Sequence, residues 1–365
     1  MMTEITHDGL RQAKFQYIPP AEELPAAHLN GKLLDGGWKV GCMVDQPPTA
    51  TGGSFSFSYH VTNTNTGDTA FLKALNISAV LRAENALADE MKAFGAAFVF
   101  ERDILSHCGE RRLGRIIRLL DHGETCVPQA GPLQRVPYLI LELAEGDIRA
   151  HQSRLQAFDL AWVLRTLKHV TLGIEQLHGC NIAHQDLKPS NVLTQRSGHE
   201  MKLGDLGRAE RLGVEGPTSA NTIPGAISYA PPEQLYGAFD HTWELRRAGD
   251  LYHLGSLALH HLGSLALQLF VGHSATALLQ NALPEEAQLN EWRDDFETVK
   301  PYLRAAHAEM ILSLEAALEK MPLKPAMAEE IVRAIREMTD PDPGMRGHKW
   351  TPIFGQLAKV VSTGR

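Results

Sequence analysis

Hydrophobic residues recur at helical spacing over two long stretches of the chain. Residues 79–108 predict one helix, and residues 158–180 predict a second. In the second stretch the apolar positions fall three and four residues apart, which is the pattern of a buried helix face. These positions are Leu160, Val163, Leu164, Leu167, Val170, Leu172, Ile174 and Leu177. We expect this second helix to lead directly into the polar segment that begins at His184.

Two apolar runs of a different kind predict β-strands. The run Ala70–Leu75 is apolar except for Lys73, and another run begins at Pro137 and ends in a turn near Asp147. An ammonium group inside an apolar strand is costly unless it is paired. Lys73 therefore either has an anionic partner or lies on an edge strand from which it reaches water.

The polar segment His-Gln-Asp-Leu-Lys-Pro-Ser-Asn at residues 184–191 is the most informative part of the chain, together with Asp-Leu-Gly at residues 205–207. Asn191 and Asp205 offer oxygen ligands of the kind that Mg²⁺ prefers. Asp186 can accept a proton from an attacking hydroxyl, and Lys188 lies where its ammonium would reach a transferring phosphate. These four groups follow one another in the chain as Asp, Lys, Asn and Asp. This order suits phosphoryl transfer from a metal-bound nucleotide.

The two segments resemble the catalytic loop and the metal-binding loop of eukaryotic-type protein kinases, whose patterns are H-R-D-L-x-x-x-N and D-F-G. Lys188 resembles the Ser/Thr kinases in particular. The resemblance implies an α+β bilobal fold, with a small antiparallel sheet and helix C in the N-lobe and a mainly helical C-lobe. It implies ATP and Mg²⁺ as cofactors and proteins as substrates. The expected divisions are an extension at residues 1–30, an N-lobe at 31–143 and a C-lobe at 144–360.

The resemblance also implies where the nucleotide binds. The expected contacts are Gly52, Gly53, Ser54, Phe55, Ser56, Lys73, Glu142, Ala144 and Leu193. The first five form a glycine-rich turn whose amides approach the phosphates. Lys73 would contact the phosphates and pair with a glutamate of helix C. Glu101 is favoured as that partner, Glu90 is the alternative, and Glu84 is a further candidate.

An activation segment is expected between Asp205 and Glu233, because Tyr-Ala-Pro-Pro-Glu at 229–233 resembles the family's A-P-E. The resemblance implies a buried ion pair between Glu233 and Arg346. Asp250 resembles the aspartate that braces the catalytic loop from below.

Three positions depart from the family pattern. Gln185 replaces an Arg that senses a phosphorylated activation segment in many kinases, so control by phosphorylation is less expected here. Phe71 stands where a small residue usually roofs the adenine, which predicts a narrowed pocket. Ala226 stands where the family usually has a Thr near the catalytic Asp, and Thr222 is a possible substitute.

The sequence His-Leu-Gly-Ser-Leu-Ala-Leu occurs twice within residues 253–268, at an offset of eight. One copy is interpreted as an insertion, which adds about 12 Å of helix at 1.5 Å per residue. Either the following helices shift or the added turns loop out.

Composition excludes several classes of protein. The net charge of −8 predicts no nucleic-acid partner. No apolar run reaches the length of about 18 residues that spans a bilayer, so no membrane insertion is expected. Four scattered cysteines suit a reducing cytoplasm. The sequence does not predict an oligomeric state.

The leading interpretation is an ATP-dependent protein serine/threonine kinase, with Asp186 as the base and with Asn191 and Asp205 holding Mg²⁺. The catalytic set also includes Lys188, Lys73 and Glu101. One alternative is a pseudokinase scaffold that binds partner proteins with weak or no catalysis. Another is a small-molecule kinase of the same fold.

Overall fold

The structure is a computed structural model of the chain. It describes residues 24–44, 56–77, 87–128, 134–155, 159–221, 223–238, 240–266, 273–321, 323–347 and 351–363. The described residues form a sheet-containing N-lobe followed by a mainly helical C-lobe, as the sequence predicts. Among the helices of these ranges, none is both long enough and apolar enough to cross a bilayer.

The N-lobe is built on one antiparallel sheet in the order β1-β2-β3-β5-β4. Its strands are β1 (Trp38–Met43), β2 (Ser56–Asn63), β3 (Thr69–Leu75), β4 (Leu119–Cys126) and β5 (Arg135–Glu142). Strand β3 is interior and pairs with both β2 and β5. The apolar run around Lys73 is therefore a central strand, and the edge-strand alternative is wrong.

Alternation along β3 separates a core face from a cleft face. Ala70, Leu72 and Ala74 are fully buried in the core of the N-lobe. Phe71 and Lys73 lie on the opposite face, because successive side chains of a strand point to opposite sides. Phe71 packs against the larger core that extends into the C-lobe. The strand therefore presents Lys73 to the space between the lobes.

Helix α1 (Leu87–Glu110) lies beside the sheet and corresponds to the predicted helix C. Phe100, Ile104 and Leu105 are buried and belong to the core that continues into the C-lobe. These three residues follow helical spacing, so the helix buries one face. The predicted start near residue 79 lies outside the described residues.

Residues 24–29 fall within the N-terminal extension expected at residues 1–30. Residues 24–29 pack into the N-lobe rather than preceding it, and Ala26 and Leu29 are almost completely buried. The Tyr59 hydroxyl of β2 donates to the Ala26 carbonyl at 2.8 Å. The apolar side chains of Ala26 and Leu29 therefore contribute to the core on one face of the sheet.

The described part of the C-lobe is mainly helical, and its helix over residues 160–178 is the long buried helix predicted from the sequence. The helices of this part are α2 (Ile148–Gln152), α3 (Leu160–His178), α4 (Pro232–Leu235), α5 (Trp243–Ala266), α6 (Ala275–Ala282), α7 (Phe296–Leu318), α8 (Pro325–Met338) and α9 (Thr351–Thr363). Short strands frame the segment after α3. They are β6 (Gly146–Asp147), β7 (Ile182–Ala183), β8 (Val192–Gln195), β9 (Glu200–Leu203) and β10 (Glu210–Arg211).

Helix α5 runs through the repeated sequence without interruption as far as Ala266. The added turns therefore extend the helix over its described part and do not loop out. Helices α5 and α8 approach closely, since a Cβ at Gly255 would lie 2.6 Å from the Thr339 side chain and 2.8 Å from Met338. A glycine is required at this crossing because a larger residue would force the helices apart.

A buried ion pair ties the end of the activation segment to the C-lobe. Arg346 donates to both carboxylate oxygens of Glu233 at 2.8 and 2.7 Å, and both side chains are almost fully buried. The guanidinium also donates to the Ala248 carbonyl and lies 4.9 Å from the centre of the Tyr252 ring. The predicted pairing of Glu233 with Arg346 is confirmed.

We predict that Glu233→Gln lowers the free energy of unfolding by about 3–5 kcal/mol, because it leaves a buried guanidinium without its counter-charge. Urea denaturation of both proteins measures this difference. The matched control is Glu124→Gln, which removes the partner of Arg135 from an exposed pair and is expected to have almost no effect. Equal effects of the two substitutions would contradict the prediction.

Candidate active site

Lys73 and Glu101 form an ion pair between the sheet and helix α1. Lys73 Nζ lies 2.8 and 2.9 Å from the two carboxylate oxygens of Glu101. Glu90 lies eleven residues earlier on the same helix, which is about 16 Å at 1.5 Å per residue. Lys73 therefore pairs with Glu101, which the sequence pattern favours over Glu90. Burial raises the pKa of Glu101, and the ammonium of Lys73 limits that rise.

Asp205 brings the metal-binding loop to the same ammonium. Its carboxylate lies 3.3 Å from Lys73 Nζ, and its side chain is 48% exposed to the cleft. Asp205 has a φ of 57°, a left-handed conformation that Asp adopts more readily than most residues. Lys73 holds the pKa of Asp205 below its usual value. Although burial opposes the charge on Lys73, Glu101 and Asp205 together raise its pKa.

Asp186 is the centre of a dense set of hydrogen bonds. One carboxylate oxygen accepts from Lys188 Nζ at 2.7 Å and from the Asn191 side-chain amide at 3.2 Å. The same amide donates to the Asp186 carbonyl at 2.7 Å. The other carboxylate oxygen accepts from the backbone N–H of Ala226 at 2.9 Å. Asp186, Lys188 and Asn191 are thus brought together as the sequence predicts.

The loss of a Thr at position 226 is offset by the backbone. A Cβ at Gly225 would lie only 2.4 Å from the Gln185 carbonyl, so the absence of a side chain lets the activation segment approach the catalytic loop. This approach places the N–H of Ala226 on Asp186. Thr222, which the sequence offers as a substitute, lies outside the described residues.

Asp250 holds the catalytic loop from below. Its carboxylate is fully buried and accepts from the backbone N–H groups of His184 and Gln185, each at 2.8 Å. His178 Nε2 lies 2.8 Å away. Burial acts against the charge on Asp250, but His178 and the nearby histidines His184 and His253 keep its pKa below the usual value. This arrangement agrees with the bracing position that the resemblance implies.

His184 connects the catalytic loop to the metal-binding loop. Its Nδ1 accepts from the backbone N–H of Asp186 at 3.3 Å, so Nε2 is the nitrogen that donates to the Gly204 carbonyl at 3.2 Å. The ring is fully buried. His184 therefore links Asp186 to Gly204, the residue that precedes Asp205.

The expected nucleotide-base contacts lie where the chain passes between the lobes. The backbone N–H of Glu142 donates to the Arg118 carbonyl, and its carboxylate contacts Lys202. Leu193 and Phe71 both pack against the core that includes Leu141. Ala144 follows β5 and precedes β6. The glycine turn at Gly52, Gly53, Ser54 and Phe55 lies outside the described residues, and Ser56 is the first residue of β2.

The donor set facing the cleft fits Mg²⁺ bound to a nucleotide. The amide nitrogen of Asn191 is directed at Asp186, so its oxygen, which accepts from the Ser190 hydroxyl at 3.2 Å, is the atom available to a metal. The half-exposed carboxylate of Asp205 supplies a second oxygen. Mg²⁺ prefers such ligands and keeps several water molecules.

Sequence reasoning missed two groups around this site. His178 contacts Asp250 from the last turn of α3, and it belongs to no sequence motif that would have indicated this contact. Arg246 precedes Asp250 by four residues on α5 and lies beside Gln185. The i, i+4 spacing of Arg246 and Asp250 on a helix was a signal that this side chain faces the catalytic loop.

A cleft that carries this set of groups, between a small sheet and a helical lobe, is typical of protein kinases. The family described as "protein kinase domain" matches residues 51–346, which is more than half of the chain. The chain belongs to this family.

Known kinases resemble the chain at low identity. Serine/threonine-protein kinase A of Synechocystis sp. is 24% identical over 254 residues, covering 65% of this chain and 44% of that protein. A probable cyclin-dependent kinase 8 of Dictyostelium discoideum is 33% identical over 150 residues, covering 39% and 37%. The probable kinase PknB of Lactococcus lactis is 25% identical over 197 residues, covering 52% and 30%. The matches span less than half the length of each relative.

We predict that Lys73→Met raises the pKa of Asp205, because the substitution removes the main cause of its lowered value, whereas burial continues to act against the charge. Asp205 stays ionised above its pKa, so the variant would lose this negative charge at a higher pH as the solution is acidified. NMR titration of the labelled carboxyl carbon measures the shift. Lys39→Met, at an exposed position of β1, is the control and is expected to leave the pKa unchanged. A pKa of Asp205 that is the same in wild type and Lys73→Met would overturn this account.

Proposed function

We propose that the chain catalyses ATP-dependent phosphorylation of Ser and Thr hydroxyls on proteins. The observation that carries the proposal is the contact of Lys73 with both Glu101 and Asp205 across the cleft. Three elements that are far apart in sequence supply these charges. Such a convergence suits the binding of a metal-bound triphosphate, for which positioning and charge neutralisation provide most of the catalysis.

Each residue has a defined role in this proposal. Asp186 orients the substrate hydroxyl and accepts its proton, while Lys188 neutralises charge on the transferring phosphate. Asn191 and Asp205 hold Mg²⁺, which would neutralise the phosphates of bound ATP. Lys73 orients the phosphates and Glu101 orients Lys73. Gly52, Gly53, Ser54, Phe55 and Ser56 would cover the phosphates, and Glu142, Ala144 and Leu193 would contact the base.

Protein substrates are favoured over small molecules by the activation segment. Its end is anchored by the buried pair of Glu233 and Arg346, and shortly before that end Ala226 donates its backbone N–H to Asp186. A segment held at both points offers a fixed surface beside the catalytic carboxylate, which suits an extended peptide. We place the enzyme in the cytoplasm, where ATP is available and free thiols such as Cys108 remain reduced.

We predict that the protein transfers labelled phosphate from ATP and Mg²⁺ to itself or to a generic basic protein. Asp186→Asn is expected to lower this rate by about 10²–10⁴-fold, which is the usual contribution of a positioned general base. The control Asp240→Asn alters an exposed carboxylate outside the cleft and should retain the full rate. Equal labelling by wild type and Asp186→Asn would remove the kinase interpretation.

A pseudokinase scaffold is the second candidate, and Phe71 is the observation that favours it. Phe71 lies on the cleft face of β3, two residues from Lys73, and packs with the core around Leu141. A phenyl ring there takes space that an adenine would need. The same fold would then serve to bind partner proteins with little turnover.

If Phe71 crowds the base, Phe71→Ala should tighten ATP binding roughly tenfold, since relief of overpacking is worth about 1–3 kcal/mol. Isothermal titration with ATP and Mg²⁺ measures the change. Phe57→Ala is the control, because Phe57 packs on the N-lobe core rather than in the cleft. Unchanged or weaker affinity in Phe71→Ala would show that the base does not meet this ring.

A further inference from the structure

A buried cation lies beneath the activation segment. Arg246 is 4% exposed, and its guanidinium donates to the Ser219 carbonyl at 2.8 Å. The same group lies 3.4 Å from the side-chain oxygen of Gln185, whose amide donates to the Arg246 carbonyl at 2.8 Å and to Asp250 at 3.2 Å. His241 Nδ1 also lies 2.8 Å from the guanidinium. Arg246 thus contacts the activation segment and the catalytic loop together.

Glu210 supplies the anion opposite this cation. One of its carboxylate oxygens lies 3.9 Å from Arg246, and the other accepts from the Ser219 hydroxyl at 2.6 Å. The Thr218 hydroxyl lies 3.4 Å from the carboxylate. Glu210 is 7% exposed, so its interaction with Arg246 is weakly screened. Its backbone pairs with Ala183 in β7, directly before the catalytic loop.

We propose that Glu210 and Arg246 form a permanent internal ion pair that orders the activation segment and makes phosphorylation of that segment unnecessary. Phosphorylation orders such segments by adding an anion that an Arg can bind. Here a carboxylate of the chain itself occupies that place, and it also binds Ser219. Arg246 is a positioning residue, because it acts on Asp186 only through Gln185 and the loop.

The pair also accounts for the neutral side chain at position 185. An Arg at this position would bring a second guanidinium against that of Arg246 in a site where Gln185 is fully buried. Like charges in contact and out of water are strongly unfavourable. Gln185 instead accepts from one Arg and donates to Asp250. Gln185→Arg, which restores the Arg of the family pattern, should therefore make the activation segment less ordered rather than more ordered.

Hydrogen exchange of the amides at residues 208–221 tests the proposal. Glu210→Gln and Gln185→Arg are each expected to speed exchange roughly tenfold or more, because the first removes the counter-charge of Arg246 and the second places a like charge beside it. The double variant Gln185→Arg/Arg246→Gln moves the positive charge from position 246 to position 185. It should return exchange to within about threefold of wild type, because the effects of substitutions at these two contacting positions are coupled. Phosphatase-treated wild type should exchange like the untreated protein.

The matched control is Glu215→Gln, which removes an exposed carboxylate from the same segment and should leave exchange unchanged. If Glu210→Gln does not fold, Glu210→Asp keeps the charge with a shorter reach and should give intermediate protection. The proposal is overturned if Glu210→Gln behaves like Glu215→Gln, if the double variant is no better than Gln185→Arg, or if phosphatase loosens the segment.

The effect on catalysis rests on the proposed kinase function, whereas the exchange measurement does not. In an active enzyme, Glu210→Gln should lower kcat by about tenfold or more with little change in the KM for ATP, because the segment contacts Asp186 and not Lys73. A wild type that labels no acceptor would contradict the kinase function and leave the exchange comparison to decide the ion pair.

Discussion

The arrangement of the candidate active site depends on one buried carboxylate. Asp250 has no exposure to solvent and accepts the consecutive N–H groups of His184 and Gln185. These bonds hold Gln185 in a left-handed conformation with a φ of 64°, which is uncommon for a residue other than glycine. The turn at Gln185 directs Asp186 toward the cleft. Without Asp250, the two N–H groups would lose their buried acceptor and this backbone conformation would lose its main stabilising contact.

A second constraint joins the two lobes through charge. Lys73 belongs to the sheet, Glu101 to helix α1 and Asp205 to the loop after β9, and the three meet within hydrogen-bond distance. The carboxylates keep Lys73 protonated, and Lys73 keeps Asp205 ionised. The positions of helix α1 and the metal-binding loop are therefore linked, so displacement of either weakens the same ion network.

Two of the three departures from the family pattern, at positions 226 and 185, are offset by nearby groups. The Thr missing at position 226 is replaced by a backbone N–H, and Gly225 permits the approach. The Arg missing at position 185 has its counterpart in Arg246, which reaches the same place from helix α5. In both cases another group of the chain occupies the place of the missing side chain: a backbone N–H beside Asp186, and the guanidinium of Arg246 beside Gln185.

Residues that are close in sequence could be placed before the structure was known. The segment from His184 to Asn191 is local, so its side chains must meet wherever the fold puts them. The pairing of Lys73 with Glu101 followed from the helix that carries Glu101 and from the order of the strands after it.

Interactions that leave no local pattern could not be placed in this way. Glu210 and Arg246 are 36 positions apart, and neither belongs to a recognisable motif. The hydrogen bond from the backbone N–H of Ala226 to Asp186 could not be predicted from side-chain types, because every residue except proline carries such an N–H. The packing of Ala26 and Leu29 was not predicted, because residues 1–30 were expected to form an extension, although an irregular segment can still cover a sheet.

The central claim is that Asn191, Asp205 and Lys73 converge on one metal-bound triphosphate. Calorimetric titration of the wild-type protein with ATP, in the presence and absence of Mg²⁺, tests it most directly. The account predicts that Mg²⁺ strengthens ATP binding severalfold and that this gain disappears in Asp205→Asn. The same affinity with and without Mg²⁺ would contradict the claim, as would a gain that persists in Asp205→Asn.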